Sequence, residues 1–94
     1  MAAVVDIPAG HVSAARCIVD ALIAQGVDRA FCVPGESYLP LMDACYDVRD
    51  RFTLHSFRQE GGAAFAAEAH AKLTGLPGVL MVTRGPGASN ASIG

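Results

Sequence analysis

The chain has no tryptophan, and aromatic residues make up only 6% of it. Its core must therefore be assembled from Ala, Val, Leu and Ile rather than around large rings. Charge of either sign is scarce, with seven Lys and Arg against nine Asp and Glu in 94 residues. A net charge of -2 leaves no basic face, which excludes the electrostatic footprint of a nucleic-acid binder. No apolar run approaches the ~18 residues of a membrane span. Cys17, Cys32 and Cys45 have no CxxC spacing, and each sits among apolar residues. Such a set fits buried free thiols in a reducing compartment and offers no metal site. Met1 to Gly10 lacks the basic start of a signal peptide, so a cytoplasmic protein is expected.

What the chain does have is apolar surface. Hydrophobic residues are 52% of it, which is rich for a free-standing small domain that buries only ~60% of its unfolded surface. That composition fits an element packed against further protein. Residues 1–12 read as an N-terminal extension, and residues 13–94 as the front part of one domain.

The spacing predicts a first helix over 11–25, capped by Ser13, with Ala14, Ile18, Ala21 and Leu22 on its apolar side. Gly26 should close it in a left-handed conformation. The run Ala30-Phe31-Cys32-Val33 predicts a strand buried on both faces. Pro34-Gly35 stops it. A second helix is expected over 38–46, with Pro40 in its first turn, where a missing N–H costs nothing. Residues 52–57 suit a second strand. A third helix should run from Glu60 to Leu73, ended by Gly75. Val79 to Thr83 is the third strand, and 88–92 opens another helix. Strands alternating with helices predict an α/β fold, three layers α/β/α around a parallel sheet with right-handed crossovers.

Ligands on such sheets bind beyond the carboxyl ends of the strands. Three segments fall at that edge: Pro34-Gly35-Glu36-Ser37, Arg58-Gln59-Glu60-Gly61 and Arg84-Gly85-Pro86-Gly87. In the second, a carboxylate stands at a helix mouth beside two glycines. Each glycine costs roughly 1 kcal/mol against alanine within a helix, so their presence points to room made for a close approach. The plain alternative is that Glu60 only complements the helix dipole. Glu68 is explained by Lys72 one turn on. His55 and His70 read as packed or solvated side chains rather than ligands. Gly85-Pro86-Gly87 followed by Asn90 half-matches a dinucleotide fingerprint, but after the third strand rather than the first.

Three ordered patterns carry a resemblance. They are Phe31-Cys32-Val33-Pro34-Gly35 with Leu39-Pro40-Leu41-Met42-Asp43-Ala44, then Glu60 through Val79, then Thr83-Arg84-Gly85-Pro86-Gly87-Ala88-Ser89-Asn90. With them the chain resembles the N-terminal, pyrimidine-binding domain of thiamine-diphosphate-dependent enzymes of the acetolactate synthase, pyruvate decarboxylase and benzoylformate decarboxylase type. The acetolactate synthase branch is nearest.

The resemblance implies a thiamine-diphosphate-binding fold in a lyase or transferase acting on 2-oxo acids. It implies that Glu60 is catalytic, hydrogen-bonding N1′ of the cofactor's aminopyrimidine and favouring its imino tautomer. Pro34, Gly35, Pro86 and Gly87 would border the pyrimidine, and Asn90 would line the cofactor cleft or cap the next helix. Glu36 and Ser37 would face the substrate pocket. Glu36 departs from the glycine that acetolactate synthases tend to carry there, which leaves the product open. Mg²⁺ and the diphosphate would be held by a C-terminal domain whose GDG motif does not occur here. The cofactor would lie between subunits, so the full protein would be at least a dimer and this piece alone inactive. Two rival readings are a non-catalytic homologue serving as an interaction module and a dinucleotide-binding domain.

Overall fold

The computed structural model describes residues 11–94. Most of the expected N-terminal extension, residues 1–10, lies outside the described residues. His11 and Val12 precede the first helix.

Helix α1 spans Ala14–Ala24. Ser13 caps it as expected, its Oγ accepting from the Arg16 N–H at 3.1 Å. Its buried face differs from the expected one by about one residue. Val19 is fully buried, with Ala15, Leu22 and Ile23 partly so. Ala14, Ile18 and Ala21 face outward, and so does Cys17, which corrects the expectation of three buried thiols. The helix is apolar nearly all round, so periodicity alone does not choose its phase. The sheet does, by taking Val19 into the core. Gly26, at φ +84°, ends the helix in the left-handed region.

Strand β1 (Arg29–Cys32) lies between β2 (Thr53–Ser56) and β3 (Leu80–Met81), all parallel, in the order β2-β1-β3. Successive side chains of a strand point to opposite faces. Ala30 and Cys32 accordingly enter one core with Val19, Cys45, Val48 and Phe52. Phe31 turns the other way, against Ala63 and Ala67. Helices α1 and α2 (Leu39–Asp47) cover the first face, and α3 (Glu60–Thr74) covers the second with α4 (Pro86–Ala91) packed on it. This is the expected three-layer α/β/α arrangement. The third strand is shorter than Val79 to Thr83, because β1 is its one ladder neighbour. The Phe31 N–H donates to the Val79 carbonyl at 2.9 Å and the Val33 N–H to the Met81 carbonyl at 3.2 Å.

Small residues let α3 sit close to the sheet. Ala63 and Ala67 meet Phe31 directly, and a Cβ on Gly78 would run into the Ala67 carbonyl. Gly75, at φ +74°, closes α3. Glu68 and Lys72 pair at 2.9 Å on the exposed side, a contact worth a few tenths of a kcal/mol. His55 and His70 pack on Phe31, with ring centroids 5.2 and 5.8 Å away. A short 3₁₀ turn, Glu36–Tyr38, joins β1 to α2.

Candidate functional site

Each strand of the parallel sheet hands the chain to a loop at the same edge. After β1 come Val33, Pro34 and Gly35. After β2 comes the mouth of α3, and after β3 the loop into α4. Gln59 caps α3, its Oε1 accepting from the Gly62 N–H at 3.1 Å. Glu60 is therefore the first helical residue, half-buried and fixed in direction by its helix.

Two neighbours define the Glu60 carboxylate. The Asn90 Nδ2 donates to Oε1 at 3.3 Å. The other oxygen, Oε2, is 3.6 Å from where a Cβ on Gly87 would stand. Gly87 thus brings its bare, buried backbone close to that oxygen. The same imagined Cβ would lie 2.6 Å from the Thr83 Oγ1. A Cβ on Gly35 would strike the Thr83 Cγ2 and approach the Tyr38 Cε1 to 3.2 Å. Gly35, Thr83, Gly87, Glu60 and Asn90 form one contiguous row, in which both glycines let Thr83 approach where a Cβ would otherwise stand.

Tyr38 ties the bases of two of these loops. Its hydroxyl donates to the Val33 carbonyl and stands 3.2 Å from the Met81 carbonyl. Burial, and then the negative charge of Cys32 and Glu60, pushes its phenol up to about 12. It is a neutral donor throughout the physiological range.

The other expected residues sit beside this row. Glu36, Ser37 and Pro86 line a cleft of about 580 Å³ with Thr83, Arg84 and Gly85. Pro34, Gly35 and Glu36 line a second hollow of about 480 Å³ with Leu39 and Met42. Glu60 lines neither; it lies beyond Thr83 and Gly87. The structure thus brings Glu60, Asn90, Gly87 and, through Thr83, Gly35 together, and sets Glu36 and Ser37 one step away. The sequence placed Thr83 at the head of the third motif without giving it a site role, and did not single out Tyr38. Thr83 had a local sign, a β-branched residue closing a strand just before Gly-Pro-Gly. Tyr38 had none, since its partners come from two separate strands.

Among the described residues, no three His, Cys, Asp or Glu gather as a metal site would require. What is assembled is a carboxylate with one oxygen tethered by Asn90 and the other beside the bare backbone of Gly87, with the Thr83 hydroxyl close to that glycine. That set suits a flat heteroaromatic ring carrying a basic nitrogen, which could share a proton with the carboxylate.

A protein family described as thiamine pyrophosphate enzyme, N-terminal TPP binding domain, matches residues 12–94. The chain is 44% identical over 80 residues to an acetolactate synthase of Bacillus subtilis (strain 168), covering 85% of this chain and 14% of that protein. It is 45% identical over 80 residues to the acetolactate synthase isozyme 2 large subunit of Escherichia coli (strain K12), covering 85% and 14%. With the mitochondrial acetolactate synthase catalytic subunit of Saccharomyces cerevisiae it shares 44% over 66 residues, covering 70% and 10%. The chain thus spans 14% or less of the length of these three relatives.

Proposed function

Because the chain belongs to the thiamine pyrophosphate enzyme family, through its N-terminal TPP binding domain, we propose that it presents Glu60 to thiamine diphosphate in an enzyme acting on 2-oxo acids. The reaction class is decarboxylation, carboligation or both, after the manner of acetolactate synthases. The observation that supports this reading is the tethered, half-buried Glu60 carboxylate beside the bare backbone of Gly87.

Thiamine diphosphate supplies, when bound, a carbon nucleophile and an electron sink for a 2-oxo acid. The chain's own residues handle position and protons. Asn90 holds one oxygen of Glu60 and leaves the other beside the Gly87 backbone. Glu60 then exchanges a proton with the pyrimidine ring nitrogen, where partial burial strengthens the interaction. Gly35 and Gly87 let backbone approach the face of the ring, and Pro34 and Pro86 stiffen the loops that carry them. Thr83 fills the space between the two glycines. Glu36 and Ser37 face the substrate side. Mg²⁺ and the diphosphate are held by a domain other than this one, in a cytoplasmic homodimer or homotetramer whose cofactor lies between subunits.

The deciding experiment is Glu60→Gln in the full-length protein with thiamine diphosphate and Mg²⁺. The amide keeps the shape and loses the proton exchange. Turnover of pyruvate and related 2-oxo acids should fall by about 10²-fold or more, with circular dichroism unchanged. Undiminished turnover refutes the role given to Glu60.

A further inference from the structure

The cleft beside the row carries two opposite charges that do not meet. Glu36 and Arg84 both line it, together with the hydroxyl residues Ser37 and Thr83. The ion pairs among the described residues engage Arg16, Arg29 and Lys72, and Arg49 lies over the Tyr46 ring. Among the described residues Arg51, Arg58 and Arg84 make no such contact, and of these Arg84 lines the cleft's wall. It follows Thr83 directly, and Gly85 after it holds φ +67°, a conformation that glycine alone adopts without strain. The loop's direction, and with it the base of the Arg84 side chain, is thereby set by the backbone.

We propose that Arg84 anchors the carboxylate of the 2-oxo acid substrate in this cleft. This rests on the thiamine-diphosphate reading above and adds to it the group that recognises the substrate. A guanidinium presents two parallel N–H donors that match a carboxylate, which a lysine does not. The Glu36 carboxylate in the same cleft repels an incoming acid. A cation on the wall is what makes such a pocket accept a monocarboxylate, and the pair of charges fixes which end of the substrate turns towards Arg84. A second carboxylate on the substrate would meet Glu36 and be disfavoured. Because the cleft is open to water, the attraction is screened by salt.

The test separates binding from turnover. In full-length Glu60→Gln protein loaded with thiamine diphosphate and Mg²⁺, the dissociation constant of pyruvate is measured by calorimetry with and without Arg84→Ala. The expected result is a rise of about tenfold or more on losing Arg84, a smaller rise for Arg84→Lys, and unchanged binding of acetaldehyde, which lacks the carboxylate. Added salt should weaken pyruvate binding with Arg84 present and have little effect without it. Equal pyruvate affinity with and without Arg84 overturns the assignment, as does an equal loss for acetaldehyde. Full turnover by Glu60→Gln alone would instead overturn the role of Glu60, while the paired affinities still judge Arg84.

Discussion

Gly35 and Thr83 offer the cleanest test of the packing that shapes the site. Gly35 has φ -153°, extended backbone that any residue adopts, so Gly35→Ala brings no conformational strain. Its cost is purely steric. The new methyl would collide with the Thr83 Cγ2 and press on the Tyr38 Cε1 at 3.2 Å. Overpacking of this kind costs about 1–3 kcal/mol. Thr83→Ser removes the colliding methyl and keeps the hydroxyl. By itself it should cost no more than ~0.8 kcal/mol, the value of one buried methylene. Together the two changes should be less damaging than their sum, with a coupling of about 1–2 kcal/mol. Recovery should be partial, because the contact with Tyr38 remains. Urea unfolding followed by far-UV circular dichroism measures all four corners of the cycle. In a domain of this size each kcal/mol also moves the thermal midpoint by about 4–8 °C. If Gly35→Ala lies within ~0.5 kcal/mol of the parent, or Thr83→Ser recovers nothing, the close approach of the two loops is wrong.

Two further outcomes follow from the same neighbourhood. Gly87→Ala gains up to ~1 kcal/mol of helix propensity, but its Cβ would come to 2.6 Å from the Thr83 Oγ1, an overpacking that costs about 1–3 kcal/mol. The unfolding midpoint should therefore fall, and thiamine diphosphate affinity should drop about tenfold or more, some 1.4 kcal/mol; an unchanged midpoint or an unchanged cofactor titration would contradict this. Tyr38→Phe should cost about 1 kcal/mol for the lost hydrogen bond and flatten alkaline unfolding. The folded phenol's pKa is raised from 10.0 to about 12, so its stabilisation is complete below pH 10.0 and is lost as pH climbs through about 12. Parent and variant melts recorded across that window should converge at the top, and parallel curves would rule out the tie to Val33 and Met81.

Much of the architecture was readable from local chemistry. Ser13 capping α1, Pro40 in the first turn of α2, and the left-handed Gly26 and Gly75 are all decided within one helical turn. The βαβ alternation then leaves few topologies. Glu60 stood out because glycines beside an acid break helix preference; part of the reason for Gly61 is local, since a Cβ there would meet the capping Gln59 Oε1 at 2.7 Å. What stayed hidden is non-local. Thr83 matters because Gly35, far back in the chain, packs on it, and Tyr38 because its hydroxyl spans the ends of β1 and β3. The phase of α1 was misjudged for the same kind of reason. Its apolar residues encircle the axis, and only the packing of Val19 selects a face. Arg84 could be placed at the ligand edge from the sequence, but its role could not, since a single arginine in a turn is ordinary until its neighbours in space are known.

The direct contact of α3 with the entry to β3, at Gly78 and the Ala67 carbonyl, has a consequence for how this protein can change. No side chain acts as a spacer there, so at that end the height of the helix over the sheet is set by main-chain thickness, and nearer Glu60 by Ala63 on Phe31. Residues on the outward flank of the helix, Phe65 and Leu73 among them, are free to drift in size and polarity without tilting the acid. Enlarging Gly78, by contrast, would jack the whole helix upward and carry the carboxylate out of line, although that glycine touches nothing in the site itself.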